Sequence, residues 1–375
     1  MVKIKDRITT LLERGIEFTR KREADKLEHF IMKKLNIPDK PAPGEKDYLE
    51  YWSGLLSYPT PSAYRVYSKF CGCDKRIVSE TASLIINFVL NPARFVAYAS
   101  DKNTFDILLP NIKMPHTIIR MMDGMIYDKN YRYLGDLTES LLNSCLAEVN
   151  TCVLKPTVES NSGKGVMVFN KIHNEFMDND RNKLTVDLLS KYGRNWIIQD
   201  GVKQNEFMAQ FNSTSVNTLR IATYRSVKDN SIHILSGVIR MGSKGSSVDN
   251  SHAGGKMVRF DKNGILASYC TNQYAERYQK HNNIDFSNSH IKIPEYNKIV
   301  VFAKKIANTL KQFRLLQLDI AIDENNNPIL IEFNCSGYSA RIAQRTGTSA
   351  FGKWSDEIIE YVRANRPQKL YLVKI

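Results

Sequence analysis

The sequence predicts an α+β protein preceded by a helical region, and three observations carry that prediction. Apolar residues recur at helical spacing through roughly the first hundred positions. From about residue 117 onward, β-rich runs alternate with turn formers. Near the C-terminus, residues 314–338 place two β-rich runs on either side of Asp323-Glu-Asn-Asn-Asn-Pro328, the pattern of a hairpin.

The helical region begins with Ile4, Ile8, Leu11 and Leu12, then Leu27, Phe30, Ile31 and Leu35, on one or two amphipathic helices over residues 2–35. Their mixed-charge side, including Arg20-Lys-Arg22, is expected to be a solvated face. Pro38, Pro41, Pro43 and Gly44 break the pattern. Tyr48, Tyr51, Trp52, Leu55 and Leu56, then Ala82–Leu90, resume it until Asn91-Pro92. Beyond Ser100–Asn103, a cap, Thr117–Arg120 is a strand, and Leu134, Leu137, Leu141 and Leu142 mark a helix to about Glu148.

The next segments carry candidate chemistry. Strand Cys152–Pro156 bears Lys155, and the loop Thr157–Gly165 with Lys164 leads into strand Val166–Phe169. Small polar residues and glycines leave backbone N–H groups open to an anion, although an ordinary hairpin turn has the same composition. Trp196–Gly201 is a strand ending in a bend. In Thr218–Arg225, Leu219, Ile221 and Thr223 alternate with Arg220, Ala222 and Tyr224, which puts Arg220 on the polar side. A second long strand, Ile232–Met241, carries Arg240 and runs into the polar loop 242–255. Two turn-linked strands, Lys256–Phe260 and Ile265–Tyr269, follow. The clearest helix spans 296–313, with Ile299, Phe302, Ala303, Ile306, Leu310 and Phe313 on one stripe. A last helix covers 353–364.

In the C-terminal hairpin, centring the turn between Asn325 and Asn326 pairs Ile322 with Ile329, Ile320 with Ile331 and Leu318 with Phe333. Asp319 then faces Glu332 and Ala321 faces Leu330, with Asn334 on the side of Glu332. Two carboxylates directly opposite repel each other. A hard cation between them would relieve the clash, and two carboxylates with an amide oxygen suit Mg²⁺. A shared proton or an arginine would relieve it as well.

Composition bounds the partners. With 53 Lys and Arg against 39 Asp and Glu, the balance is 53 − 39 = +14. Such a surplus suits nucleic acid, an anionic membrane surface or phosphorylated ligands. The charges are dispersed and match no nucleic-acid motif, which points away from nucleic acid and toward a polyphosphate or loose attraction to an anionic leaflet. No apolar run approaches the roughly 18 residues of a membrane span, and Met1–Arg7 lacks the apolar stretch of a signal peptide. The six cysteines are scattered, and Cys71-Gly-Cys73 is too tight for the common zinc spacings. Reduced thiols in a cytoplasmic protein are expected.

The order of these parts resembles the ATP-grasp superfamily: Lys-bearing strand, Gly/Ser flap, bend at Gln199, Arg-bearing strands, Asn/Gly-Gly loop, helix, then Asp followed by Glu-x-Asn. Gln210–Thr223, Val248–Gly255 and Glu332-Phe-Asn334 are similar to its sugar-transfer-associated group, over about residues 95–350. The resemblance implies an ATP-grasp fold, two α+β domains gripping ATP, with a helical extension at 1–95. A pre-ATP-grasp segment at 96–150, a small flap subdomain at 151–205, a large subdomain with the metal site at 206–350 and a tail at 351–375 would complete it.

It also implies roles. Lys155 and Lys164 would hold ATP phosphates under a flap that includes Ser160, Ser162, Gly163 and Gly165. Gln199, Asp200, Gly201 and Val202 would meet adenine, with Gln204 or Glu206 near the ribose. Asp319, Glu332 and Asn334 would bind one or two Mg²⁺, or Mn²⁺. Asn217, Arg220 and Arg240 would stand by the transferred phosphate or an acceptor carboxylate, and Asn250, Gly254 and Gly255 would line the same cleft. Two departures stand out: Gln317 replaces an arginine found two residues before the metal Asp in relatives, and Asn205 stands where a ribose-side His is frequent. The implied activity is a carboxylate–amine ligase that forms an amide through an acyl phosphate, in bacterial surface-polysaccharide synthesis. Its substrates would be a small-molecule or sugar carboxylate and an amine, with peripheral contact to a membrane or to polysaccharide-assembly enzymes. A kinase on the same scaffold, or a nucleotide-binding scaffold of a glycan-assembly complex, are the alternatives.

Overall fold

The computed structural model describes residues 2–158, 163–243, 254–287 and 290–367, with side chains from Leu12 onward. Five helices open the chain: α1 (Val2–Lys34), α2 (Glu45–Ser53), α3 (Pro61–Cys71), α4 (Glu80–Leu90) and α5 (Ala93–Ser100). Proline starts α3, where its missing N–H has no helical partner to lose. Ser79 caps α4 by accepting the Ala82 N–H. The face of α1 expected to be solvated is partly covered, because α1 packs on α3 and α4. Glu17 and Glu28 are buried there. Glu17 accepts from the Ser57 N–H and hydroxyl and pairs with Arg366.

After the short α6 (Phe105–Leu108), the first sheet is built from β1 (Thr117–Met122), β2 (Met125–Asp128), β3 (Thr151–Pro156), β4 (Met167–Ile172), β5 (Glu175–Met177) and β6 (Trp196–Asp200). Its order is β2-β1-β6-β3-β4-β5, antiparallel throughout. Residues 96–150 thus share one sheet with 151–205, and a boundary at 150 falls inside that sheet. Helices α7 (Glu139–Cys145) and α8 (Val186–Tyr192) cover it, burying Leu142 and Leu189 against Leu154, Phe169 and Ile198. The helix expected from Leu134 begins only at Glu139, because the Thr138 hydroxyl caps it.

Helix α9 (Glu206–Ala209) leads to the second sheet: β7 (Thr218–Arg225), β8 (Ile232–Met241), β9 (Lys256–Phe260), β10 (Leu266–Thr271) and β11 (Arg277–Tyr278). A small ladder, β12 (Lys280–His281) with β13 (Ile284–Asp285), precedes α10 (Tyr296–Thr309), β14 (Leu315–Ile322) and β15 (Pro328–Asn334). The sheet order is β11-β10-β9-β8-β7-β14-β15. Helix α10 covers one face, where Ile299, Ala303 and Ile306 meet Leu219, Ile221, Leu318 and Ile320. Gly237 faces Phe260 across β8 and β9, and a Cβ there would come 2.1 Å from the ring. Two final helices, α11 (Ala340–Arg345) and α12 (Ser355–Asn365), join the front helices over the opposite face, burying Ala222, Tyr224 and Leu315 with Trp52, Ile85 and Ile358. The side of β7 read as polar is therefore buried at Ala222 and Tyr224, and only its Arg220 end meets a cavity.

The C-terminal hairpin keeps the expected pairs Leu318–Phe333 and Asp319–Glu332 but then shifts register. Ile320 pairs with Leu330, Ala321 with Ile329 and Ile322 with Pro328, replacing the expected partners. The tight loop is the physical reason: Asp323 accepts the N–H groups of Asn325 and Asn327 and closes on Asn327, and a bulge at Ile331 absorbs the odd residue. All six cysteines are unpaired. Among the described residues, no single helix is long and apolar enough to cross a membrane.

Candidate active site

A cavity of about 1210 Å³ takes its walls from both sheets. Val153, Lys155, Val168 and Gln199 come from the first; Arg220, Arg240, Asp319, Glu332 and Asn334 come from the second. Period-two alternation explains the grouping: Val153 and Lys155 on β3, and Glu332 and Asn334 on β15, are each two residues apart on one face.

The bend after β6 forms one end. Gly201 donates its N–H to the Thr151 carbonyl at 2.8 Å, so close that a Cβ would lie 2.6 Å from Thr151 Cγ2. Gln199 keeps its Oε1 buried and without a partner among the described residues. Val202 makes no hydrogen bond among the described residues. Lys155 faces this end with no hydrogen bond or ion pair among the described residues, and burial brings its pKa down to about 8, against the pull of Glu332 and with the help of Lys102. Lys102 lies 3.2 Å from Glu332. An amine that makes no ion pair among the described residues and faces an open cavity suits a polyanion.

At the centre, Asp319 on β14 stands between Arg220 on β7 and Glu332 on β15. Arg220 holds it bidentately, Nε to Oδ1 at 2.7 Å and Nη2 to Oδ2 at 2.5 Å. Arg240 adds Nη1 to Oδ2 at 3.1 Å. Burial alone would raise the Asp319 pKa, and the two guanidiniums hold it below the ordinary carboxylate value. The clash anticipated between Asp319 and Glu332 is thus relieved by arginines on one carboxylate and by a lysine on the other.

Several expected site residues stand elsewhere. Asn217 is fully buried, and its amide donates to Gln204 Oε1 and to the Met208 and Asn212 carbonyls, locking the loop rather than facing the cavity. Gln204 does line the cavity, while donating to the Asn212 and Ser215 carbonyls. Glu206 is exposed at the start of α9 and off the cavity wall. Asn205 caps α9 and donates to Asn326. Gly163 and Lys164 line the cavity and Gly165 does not. Gly254 and Gly255 are off its wall, Gly254 beside Ser243. Ser160, Ser162 and Asn250 lie outside the described residues.

The structure also adds residues. Lys102 follows Asp101 in a capped turn that sequence reasoning treated only as a helix start. Arg341 and Arg345, one turn apart on α11, line the cavity as well. Their spacing just after Glu332-Phe-Asn334 was a usable signal, since residues four apart share a helix face.

The sequence model of sugar-transfer associated ATP-grasp proteins matches residues 85–355. The chain belongs to that family. A search of curated proteins finds no match. Among solved structures, the ADP complex of N5-carboxyaminoimidazole ribonucleotide synthetase is similar at 15% identity and a TM-score of 0.40, over 70% of this chain and 52% of that one. D-alanine–D-alanine ligase from Bacillus anthracis is similar at 14% identity and 0.40, over 72% and 68%. The ATP-grasp ligase PsnB, in complex with minimal precursor, Mg and ADP, is similar at 12% identity and 0.38, over 73% and 62%. The chain therefore spans about half the length of the synthetase.

For an ATP-grasp protein, the residues present fit a magnesium nucleotide in their chemistry. Among the described residues Lys155 makes no ion pair, although Glu332 acts on it from a distance, and Gln199 Oε1 has no donor. Asp319, Glu332 and Asn334 offer hard oxygens on one wall, and Mg²⁺ commonly takes one or two carboxylates together with substrate phosphates. Among the described residues there is no group of three or more His, Cys, Asp or Glu that could hold a metal. Glu332 is the more accessible donor, 29% exposed against 4% for Asp319.

Proposed function

We propose that this protein is an ATP- and magnesium-dependent carboxylate–amine ligase acting on a building block of a bacterial surface polysaccharide, in the cytoplasm. One observation carries this beyond family membership. A single cavity joins a lysine end, Lys102 and Lys155, to an arginine-clamped carboxylate, Arg220 and Arg240 on Asp319. The six unpaired cysteines suit a reducing compartment.

A carboxylate is a poor electrophile, so the ligase must activate it. Bound magnesium would neutralise phosphate charge, held by Glu332, Asp319 and Asn334. Lys155 and Lys102 would bind phosphates. The acceptor carboxylate takes the terminal phosphoryl group to give an acyl phosphate and ADP. An amine then attacks the acyl carbon, inorganic phosphate leaves, and the amine proton passes to solvent. Arg220 and Arg240 stabilise charge as the phosphoryl group moves, while Asp319 keeps both guanidiniums aimed into the cavity. The chemistry asks for positioning and charge, and no nucleophilic side chain is needed.

The test uses purified full-length protein with magnesium ATP and a panel of sugar acids and amines. ADP and free phosphate should appear together, and only when carboxylate and amine are both present. Phosphate retained on the product would make the protein a phosphotransferase instead. Binding of magnesium nucleotide without any turnover would reject both readings and leave a nucleotide-binding scaffold, and failure to bind it would reject all three.

A further inference from the structure

The mechanism above leaves one end of the cavity unassigned. There the wall passes to Arg341 and Arg345 on α11, with Leu27 of α1 and Tyr274 nearby. Arg345 is 9% exposed. Its Nη1 donates to the Gln273 carbonyl at 3.2 Å, and its Nη2 lies 3.2 Å from the Met257 sulfur. Its Nε is buried without a hydrogen-bond partner among the described residues. Among the described residues no carboxylate pairs with it. Burying a guanidinium against a carbonyl and a thioether leaves its charge uncompensated. Burial brings its pKa down to about 10, and Arg341, Arg220 and Arg240 push the same way against Tyr67. Arg341 does have acidic neighbours, Glu28 at 3.3 Å and Glu80 at 3.2 Å. Burial lifts the Glu28 carboxyl to about 7, so at neutral pH it offers less than a full negative charge.

The site adjoins the reaction centre. Met257, which touches Arg345, is the direct cross-strand partner of Arg240. Arg240 in turn reaches Asp319 Oδ2. Directly paired positions sit about 5 Å apart, so Arg345 borders the carboxylate clamp from the side away from Lys155.

We propose that Arg345, with Arg341 beside it, is an oxyanion subsite for the acceptor substrate, distinct from the phosphate-binding end. It takes a carboxylate or phosphoryl oxyanion that the acceptor carries. The helical region, through Leu27, then forms part of the acceptor wall. This deepens the ligase reading and rests on it.

Full-length protein is saturated with magnesium and a non-hydrolysable ATP analogue, then titrated by calorimetry with inorganic phosphate and, separately, with acetate. Saturable binding of either is expected, and the tighter of the two names the oxyanion. Arg345→Gln should weaken it about 10- to 100-fold while nucleotide affinity stays within about twofold. Unchanged anion affinity in that variant, or no saturable anion binding in the parent, overturns the proposal. If the parent binds no nucleotide, the ligase reading fails, and the same titration without nucleotide still decides. Loss of binding in Arg345→Gln but not in Lys155→Gln supports the subsite, and loss only in Lys155→Gln overturns it. Should Arg345→Gln fail to fold, Arg345→Lys keeps the charge but not the fork. Weaker anion binding there supports the subsite, and unchanged binding overturns it.

Discussion

Arg220 and Asp319 are direct partners across β7 and β14, and the guanidinium grips the carboxylate along both edges. The pair supports the fold and the site together. Asp319 is 4% exposed at its side chain, so losing Arg220 leaves a buried carboxylate with Arg240 as its main counter-charge. Breaking a buried pair from one side costs about 3 kcal/mol or more. Arg220→Ala should lower stability by about that amount in urea unfolding and remove phosphate release. Arg220→Lys should recover part of the stability and little of the turnover, because lysine cannot reproduce the fork. The folded pKa of Asp319 is depressed, so its contribution is present above the unfolded carboxylate value and is lost as pH falls through the folded one. Arg220→Ala should therefore flatten the acid limb of the stability profile.

Lys155 gives the opposite sign. Its folded pKa of about 8 lies below the ordinary 10.5. Between those values the unfolded chain holds a proton that the folded chain has released, so stability rises with pH across that window. Below about pH 8 the buried ammonium is a penalty. Lys155→Met should stabilise the nucleotide-free protein at pH 7, and its melting temperature should lose the rise between pH 8 and 10. The same substitution should weaken ADP binding about 10- to 100-fold, read by calorimetry. In the parent protein, ADP affinity should fall as pH passes above 8, where the lysine is neutral. A variant that is less stable at pH 7 but binds ADP normally would place Lys155 in the structure rather than in the nucleotide site.

Glu332 distinguishes a metal ligand from a simple partner of Lys102. Even changes to the groups that orient a metal's ligands cost about 10- to 100-fold in metal affinity, so altering a ligand should cost at least as much. Glu332→Gln should raise the magnesium concentration needed for nucleotide turnover by such a factor, with manganese, the softer of the two, partly restoring it. Lys102→Met breaks the same ion pair without removing an oxygen. It should leave the magnesium requirement nearly unchanged and weaken nucleotide binding instead. Equal magnesium curves for the two variants would mean that Glu332 holds no metal.

The hairpin and the Lys-bearing strand were legible in the sequence because period-two alternation fixes which side chains share a face. That was enough to set Asp319 opposite Glu332, while the place of Lys155 came only from the family resemblance. The bulge at Ile331 was not legible, since it follows from how Asp323 closes the turn through its own carboxylate. Arg220 was legible as a residue on the polar side of its strand, but what relieves the Asp319–Glu332 clash was left among a cation, a shared proton and an arginine, because only the neighbouring strand order shows that Arg220 lies directly across from Asp319. Asn217 misled for a related reason. A polar residue before a strand reads the same whether it faces a ligand or locks a loop, and here four acceptors within the loop and at α9 claim its amide. The front helices read as chemically silent because their contribution, Leu27 at the cavity wall, is an ordinary apolar side chain placed by long-range packing.

Gly201 tests whether the bend after β6 shapes the nucleotide end. Its backbone lies against Thr151, with the N–H on the Thr151 carbonyl and no room for a methyl group: an added Cβ would sit 2.6 Å from Thr151 Cγ2 and 3.3 Å from the carbonyl oxygen. Gly201→Ala must therefore push the bend away from β3 or turn the threonine. Overpacking of this kind costs about 1–3 kcal/mol, and the displaced bend carries Val202 and Lys203, which line the same cavity. The expected outcome is a moderate loss of stability with a larger loss of ADP affinity, about tenfold by calorimetry. Thr151→Ser removes the clashing Cγ2 while keeping the hydroxyl that donates to Asn170 Oδ1. The Thr151 Cβ, which serine keeps, would still lie 2.9 Å from the new methyl group, so the double variant Gly201→Ala with Thr151→Ser should recover part of the stability and the ADP affinity, giving a coupling energy above the scatter of about 0.3–0.5 kcal/mol seen for independent sites. Additive effects in that cycle would mean that the close approach does not govern the bend.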